Sequence, residues 1–407
     1  MNKSKIVWIC SFGNDEIKKI VGGKDNVFVS PWISELIKLF REKEDIELVI
    51  ISPNYYGNKN ESFKLGKIQV KLYKYRSSML PAKAYNFTFN YRIATNSVLK
   101  IVKDLKPDII HLHGSENPLY SASVIPLMSK YPVLVTLQGF VSLSSVPKNF
   151  ISRYIRWNRI RFERIINTKA NYFTSANEEG IKRLNEFTTT AKVYGDHYPT
   201  TTPNVSSIDC PNKEFDIVYY AKISKDKGVE DLLEALKILK KSRPKIKAII
   251  IGGGNKVYVS YIKSLIEKLN LSNNIEFAGH QPTQQDVFKL AIKAKVYVLP
   301  THFDGLPGSL REAMFMKIPV IANAVGGIPE LNDKKECVTL VENKNVSELV
   351  EKIKLVLDDT ERTNRLVENA YTLITGKYDN KKIYSNILNI YQDILKENLN
   401  KNNEKTN

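Results

Sequence analysis

Asp304 and Glu312 are two carboxylates with seven residues between them, Gly305-Leu306-Pro307-Gly308-Ser309-Leu310-Arg311. The β-branched run Lys295-Val296-Tyr297-Val298-Leu299-Pro300 precedes them and reads as a buried strand. A helix opens inside the stretch and is expected to end near Met316, before Ile318-Pro319-Val320-Ile321-Ala322 starts the next strand. In an open parallel sheet, ligands bind at the carboxyl ends of the strands. A helix start at that edge presents backbone N–H groups and a positive dipole end, which suits a phosphate. Glu312 sits one turn in, beside such an anion. A carboxylate there suits a diol such as ribose, because it accepts two hydroxyl protons. Asp304, at the mouth, is placed to hold another sugar.

These residues resemble the signature of the family 4 retaining glycosyltransferases of the GT-B fold, also called group 1 glycosyltransferases. That signature is an acidic residue, seven intervening residues and a glutamate, with Gly-x-Pro inside and Glu-Ala-Met closing it. Glu312-Ala313-Met314 supplies the close, and Val325-Gly326-Gly327-Ile328-Pro329-Glu330 resembles the family's continuation. The family usually has glutamate where this chain has Asp304. The resemblance is strong over 215–331 and weak before 200.

The resemblance implies transfer of a glycosyl unit from a nucleotide-diphosphate sugar, expected to be UDP-linked, to a hydroxyl acceptor. It implies retention by same-face attack, without a nucleophile on the reacting face. Lys222 and Lys227 are similar to the family's arginine and lysine, five residues apart, that neutralise the donor diphosphate. Lysine at 222 keeps the charge and loses the bidentate fork. Gly22 and Gly23 match the family's Gly-Gly loop near the donor phosphates. The ends of the strands 107–114 and 133–139 are implied to line the acceptor side of a cleft. Many members carry histidine where Gln138 stands; glutamine can hydrogen-bond a sugar hydroxyl but cannot act as a base. His111 and His113 share a strand face, and His113, nearer the strand end, is the better candidate. The catalytic set is therefore Asp304, Lys222, Lys227, His113 and Gln138. The donor-binding set is Gly22, Gly23, Gly253, Gly305, Leu306, Pro307, Gly308, Ser309 and Glu312.

Composition limits the alternatives. The 407 residues are 43% hydrophobic, enough for two domains with sizeable cores. No apolar run reaches the ~18 residues of a membrane span, and no small-residue cleavage site follows the short apolar start. Cys10, Cys210 and Cys337 are widely spaced, which fits a reducing, cytoplasmic compartment without a disulfide framework or metal cluster. A net charge of +18 fits nucleic acid, anionic lipid or a phosphorylated substrate. No helix-turn-helix, zinc or aromatic ribonucleoprotein motif appears, so no nucleic-acid partner is expected. No Asp-x-Asp offers to hold a divalent metal, so no metal or cofactor is expected. Lys222, Lys227 and the helix start at Gly308-Ser309 are left to meet the leaving-group charge.

The elements that position these residues follow in order. A strand over 6–12 leads into a polar segment, Ser11 to Val29, that contains Val21-Gly22-Gly23-Lys24. In a Rossmann-like half, such a turn faces the ligand. A helix from Ser30-Pro31-Trp32 carries Ile33, Leu36, Ile37 and Phe40 at helical spacing. Strands are expected over 46–51 and 67–75, then a basic, aromatic segment, Lys74 to Arg92, and a helix to about Leu105. Over Ile151 to Ile166 the pattern puts Ile151, Tyr154, Ile155, Phe162, Ile165 and Ile166 on one face, with Arg153, Arg156 and Arg164 opposite. A basic amphipathic helix of this kind suits an anionic membrane surface; the alternative, expected for the apolar stripe, is a domain helix with that face in the core, its arginines left to meet phosphates. Thr200 to Pro211 breaks the periodicity and reads as a linker. The second half restarts with the strand 215–221 and a helix, Val229 to Lys240. Lys247 to Ile251 is a strand leaving through Gly252-Gly253-Gly254. This exit lacks the last glycine of a dinucleotide fingerprint and is expected to let the chain pass close to the donor.

The expected architecture is α/β, GT-B, with two Rossmann-like domains facing across a cleft. The domains are 1–200 for the acceptor and 201–377 for the nucleotide sugar. A crossover helix over 378–397 buries Ile383, Ile387, Ile390 and Ile394 on the first domain, and 398–407 is expected to be disordered. The partners are a nucleotide-sugar donor, a glycan or lipid-linked acceptor and, peripherally, an anionic membrane at its inner face. The pathway class is bacterial capsule, polysaccharide or lipopolysaccharide biosynthesis. A nucleotide-sugar epimerase would need acids and bases that this motif does not supply. A non-catalytic nucleotide-binding scaffold would not need the intact phosphate-site residues.

Overall fold

The computed structural model of the chain describes residues 3–23, 30–75, 91–143, 146–147, 149–204 and 212–406. Lys24, residues 76–90 of the basic aromatic segment, Cys210 and the linker residues 205–211 lie outside the described residues. The chain forms two compact units, Met1–Pro199 with Asn380–Asn407, and Thr200–Asp379.

Unit 1 is built on an eight-stranded sheet in the order β3-β4-β2-β1-β5-β6-β7-β8. Its strands are β1 (Ser4–Ile9), β2 (Ile46–Pro53), β3 (Glu61–Leu65), β4 (Ile68–Tyr73), β5 (Ile109–His113), β6 (Val133–Thr136), β7 (Tyr172–Ser175) and β8 (Lys192–Gly195). All neighbours pair in parallel except β3 with β4. A parallel sheet is covered on both faces, so its strands are continuous apolar runs rather than alternating ones. Ile6 to Cys10 is wholly buried accordingly. The edge strand β3 alternates half-buried and exposed residues up to Leu65, and β8 has no buried residue; neither carries a strong apolar signal, and neither was expected.

Among the described residues, the helices of unit 1 longer than one turn are α1 (Asp15–Val21), α2 (Pro31–Phe40), α3 (Arg92–Leu105), α4 (Phe150–Lys169), α5 (Glu178–Leu184) and the C-terminal Asn380–Thr406. The polar segment after β1 therefore contains a helix, started by the Asn14 side chain accepting from Ile17 N–H (3.0 Å). Helix α4 turns inward a face that is rotated from the expected apolar stripe and shares Phe162 and Ile166 with it. Asn158, Phe162, Glu163, Ile166 and Asn167 are buried, while Ile151 is exposed.

The C-terminal helix buries Ile383, Ile387, Ile390, Tyr391 and Ile394 against Trp8, Phe40 and neighbours. It continues to Thr406, through the tail expected to be disordered. A helix already nucleated extends at little cost even through polar residues. Here Asn398 Nδ2 donates to Ile394 O (2.8 Å) and Lys401 pairs with Glu397 (2.7 Å). Tyr391 also anchors a buried polar chain. Trp8 Nε1 donates to Tyr391 Oη (2.8 Å), which bonds His111 Nδ1 (2.6 Å). His111 Nε2 bonds Thr136 Oγ1 (2.6 Å), which also accepts from Thr174 Oγ1 (2.8 Å).

Unit 2 is a six-stranded, fully parallel sheet in the order β11-β10-β9-β12-β13-β14. Its strands are β9 (Phe215–Tyr220), β10 (Ala248–Ile251), β11 (Ile275–Gly279), β12 (Ala294–Leu299), β13 (Val320–Asn323) and β14 (Thr339–Val341). The helices, numbered on from α5, are α6 (Val229–Ser242), α7 (Lys256–Lys268), α8 (Gln284–Ala291), α9 (Gly308–Phe315), α10 (Val346–Asp358) and α11 (Thr360–Lys377); the C-terminal helix is α12. From β9 the chain winds outward to β10 and β11, then returns to β12 on the other side of β9. That reversal between β9 and β12 is a switch point, where such sheets open a crevice beyond the strand ends. In unit 1 the reversal falls between β1 and β5.

Candidate active site

The switch point of unit 2 collects most of the expected donor residues. Lys222 leaves β9, and Asp304 to Ser309 leave β12 and enter α9. The two exits are stitched together. Thr301 Oγ1 donates to Asp226 O (3.0 Å), His302 N–H donates to the same carbonyl (2.8 Å), and His302 Nε2 lies 2.8 Å from Asp231 Oδ2. Lys227 is ion-paired to Asp304. Lys222 is exposed and has no side-chain hydrogen bond or ion pair among the described residues.

Helix α9 begins after Pro307 with no side-chain cap, so its first N–H groups point to whatever lies at the strand ends. Two fully buried tyrosines fix that start from below: Tyr220 Oη donates to Ser309 O (2.7 Å) and Tyr297 Oη bonds Ser309 Oγ (2.8 Å). A side-chain carbon placed at Gly308 would meet nothing within 4 Å, so this approach is open. Glu312 is 7% exposed, and its Oε2 accepts from Gln284 Nε2 (2.8 Å). Gln284 opens α8, and nothing in its local sequence marked it as the partner of Glu312.

The glycine exit of β10 runs against β9. A Cβ at Gly254 would stand 2.1 Å from Ile223 O, while one at Gly253 would meet His280 Cβ at 3.2 Å. Close backbone approach therefore demands glycine at 254, whereas Gly253 faces the side chain of His280.

In unit 1, Gly22 is the left-handed end of α1 (φ 66°), and a Cβ on Gly23 would strike the Tyr56 side chain at 2.7 Å. Gly22 thus has a conformational reason and Gly23 a packing one. His113 ends β5, and Gln138 follows the neighbouring strand β6. His113 is 2% exposed, with ring centroids of Trp8, Trp32 and His111 at 4.7, 5.5 and 3.9 Å. Burial first, and His111 second, hold its imidazole well below the usual value. It is neutral, and neither ring nitrogen has a hydrogen-bond partner among the described residues. Gln138 Nε2 is likewise buried without a partner. Together they hold unused capacity to donate and accept hydrogen bonds.

Three charged residues near these strand ends were not foreseen. Burial pushes the Glu116 carboxyl up to about 7, and its Oε2 has no partner among the described residues. Arg159 Nε of α4 donates to Glu116 O (2.9 Å). Glu163, also raised to about 7 by burial, accepts from Val141 N–H at 3.0 and 3.2 Å. Helix α4 thus clamps the loops that follow β5 and β6. The polar interruptions of its apolar pattern were the available signal. Among the described residues, no group of three His, Cys, Asp or Glu side chains is arranged to hold a metal, Cys10 and Cys337 are free and buried, and no helix is long and apolar enough to cross a membrane.

Two family models match the chain: "Glycosyl transferases group 1" over residues 203–373 and "Glycosyl transferase 4-like" over 20–169. A putative teichuronic acid biosynthesis glycosyltransferase of Bacillus subtilis, TuaC, is 24% identical over 317 residues, covering 75% of this chain and 76% of that protein. The sucrose-phosphate synthase of Thermosynechococcus elongatus superposes with a TM-score of 0.73 at 15% identity, over 97% of this chain and all of that one. Anabaena HepE in complex with UDP gives 0.68 at 16% identity, over 96% and 100%.

Proposed function

We propose that this chain, which belongs to the group 1 glycosyltransferases of the GT-B fold, moves a sugar from a UDP-linked donor to a hydroxyl of a glycan or lipid-linked acceptor, with retention. The observation that carries the donor reading is the uncapped start of α9 at the switch point of unit 2, with Glu312 one turn inside it. The diphosphate takes the helix start and the charges of Lys222 and Lys227, and the ribose diol takes Glu312. The structure of the HepE neighbour with UDP supports the choice of nucleotide. The leaving-group charge is met by lysines and oriented N–H groups rather than by a metal, which is electrostatic preorganisation. Asp304 takes a donor-sugar hydroxyl, and His113 and Gln138 serve the acceptor side. The teichuronic acid relative supports a role in making a bacterial surface polysaccharide, and widely spaced cysteines support a cytoplasmic site of action.

The test is thermal unfolding with a panel of nucleotides and nucleotide sugars, with and without EDTA. A bound donor stabilises the fold by mass action. UDP and one UDP-sugar should raise the midpoint equally in both conditions. If EDTA abolishes the UDP shift, the metal-free reading is wrong. If no nucleoside diphosphate shifts the midpoint, the donor site is not at α9.

A further inference from the structure

Helix α4 divides its cations between two faces. It carries five arginines and one lysine, and its one acidic residue, Glu163, is buried. Arg156 Nη2 donates to Ser142 O (2.8 Å) and Arg159 to Glu116 O, so these two are committed to the loops of unit 1. Phe150, Arg153, Trp157, Arg161 and Arg164 fall within an arc of about 80° at 100° per residue, and all five are exposed. Phe150 is 79% and Trp157 56% exposed. Arg153, Arg161 and Arg164 have no ion pair or side-chain hydrogen bond among the described residues. Half-buried Tyr154 flanks the stripe, its ring 5.7 Å from that of Trp157.

Two large apolar rings left in water on one helix face, with three unneutralised arginines between them, are not what solubility alone asks of a surface. Tryptophan prefers the boundary between headgroups and acyl chains. Arginines flanking it are drawn to anionic lipid. A helix with this division lies in the plane of an interface. Folding is not the reason for the stripe, because the opposite face of α4 supplies the buried contacts.

We infer that the outer stripe of α4, centred on Trp157, seats unit 1 on the surface of an anionic phospholipid membrane. Phe150 and Trp157 enter the boundary, and Arg153, Arg161 and Arg164 meet lipid phosphates. The occupant is lipid rather than an acidic protein or a free polyanion, because the rings need an apolar phase and the arginines an anionic one, on the same 80° arc. The inference is independent of which nucleotide or acceptor the enzyme uses.

The full-length protein is to be sedimented with vesicles of phosphatidylcholine alone or mixed with phosphatidylglycerol, at low and high salt, while tryptophan emission is followed. Binding is expected only with phosphatidylglycerol and should weaken as salt screens the charges. It should be accompanied by a blue shift that Trp157→Phe removes, since Trp8 and Trp32 remain. The triple variant Arg153→Gln/Arg161→Gln/Arg164→Gln should bind about a hundredfold more weakly, taking roughly 1 kcal/mol per arginine. A control with the same charge loss, Lys268→Gln/Lys334→Gln/Lys335→Gln, alters exposed lysines of unit 2 and should bind as the parent does. Unchanged melting curves of the variants exclude misfolding. The inference is overturned by absence of binding, by equal binding to neutral vesicles, or by equal losses in the two triple variants. Binding to heparin as tight as to vesicles, without a blue shift in either case, would assign the stripe to a soluble polyanion and overturn it as well.

Discussion

The ammonium of Lys227 is ion-paired to the carboxylate of Asp304, joining the loop after β9 to the loop after β12. The two side chains are only 26% and 18% exposed, so the pair is partly shielded from solvent. Among the described residues, Lys222 has no such partner. Of the two lysines proposed to meet the donor diphosphate, Lys227 is held in an ion pair and Lys222 is exposed.

Lys222 therefore supplies the larger share of the positive field. Lys222→Met keeps the stem and removes the charge. With donor saturating, transfer should slow by about 10²–10³, the usual cost of one preorganised group. Lys222→Arg should keep much more activity, since the charge survives. A fully active, folded methionine variant would move the phosphate site elsewhere.

In the proposed donor complex, Asp304 competes with the phosphates for Lys227 and takes a donor-sugar hydroxyl. Asp304→Asn should release Lys227, so UDP should bind up to about fivefold tighter, the range of a partly exposed ion pair. Sugar transfer should nevertheless fall, while Asp304→Glu, which restores the family's usual residue, should recover it. Weaker UDP binding by the asparagine variant, read by calorimetry, would mean that the pair organises the site instead of competing with it.

Glu312 is buried and accepts a hydrogen bond from Gln284 Nε2, and in the proposed donor complex its carboxylate meets the ribose diol. UDP should bind the parent about tenfold or more tightly than 2′,3′-dideoxy-UDP, as expected of hydrogen bonds to a charged group. Glu312→Gln should erase most of that preference without changing the chemical step once donor is saturating. An undiminished preference would reassign Glu312 to a structural role.

His111 gives unit 1 an acid sensitivity. Burial lowers its imidazole to about 3 from the usual 6.5. The folded value lies below the unfolded one, so between those values the unfolded chain binds a proton that the native chain does not. Stability is then complete above about 6.5 and declines as pH falls toward 3, by about 2 kcal/mol at pH 5. His111→Gln can still bond Tyr391 and Thr136 but does not titrate. Urea midpoints at pH 7 and pH 5 should fall less for the variant than for the parent. An equal fall in both would show that His111 does not carry the sensitivity.

What could be read along the chain was whatever neighbouring residues decide among themselves. The order strand, acidic loop, uncapped helix and strand over 294–323 follows from apolar runs, Pro307 and Gly308, and it places Asp304 and Glu312 without any distant contact. The buried isoleucine stripe of α12 follows from helical spacing in the same way. The ion pair of Lys227 with Asp304 joins residues 77 apart, and the bond from Trp8 to Tyr391 joins residues 383 apart; no local pattern encodes which partner a side chain meets after the sheet closes. Helix α4 makes the distinction sharpest. Apolar periodicity chose a face on which Phe162 and Ile166 are buried but Ile151 is exposed and Ile165 half-buried. Tertiary structure chose the face whose Asn158, Glu163 and Asn167 are buried, with Glu163 taking the Val141 N–H. Leaving that buried amide unpaired would cost about 1–3 kcal/mol. Side-chain burial is decided by what the surrounding loops require, and a sequence read one helix at a time does not contain those loops.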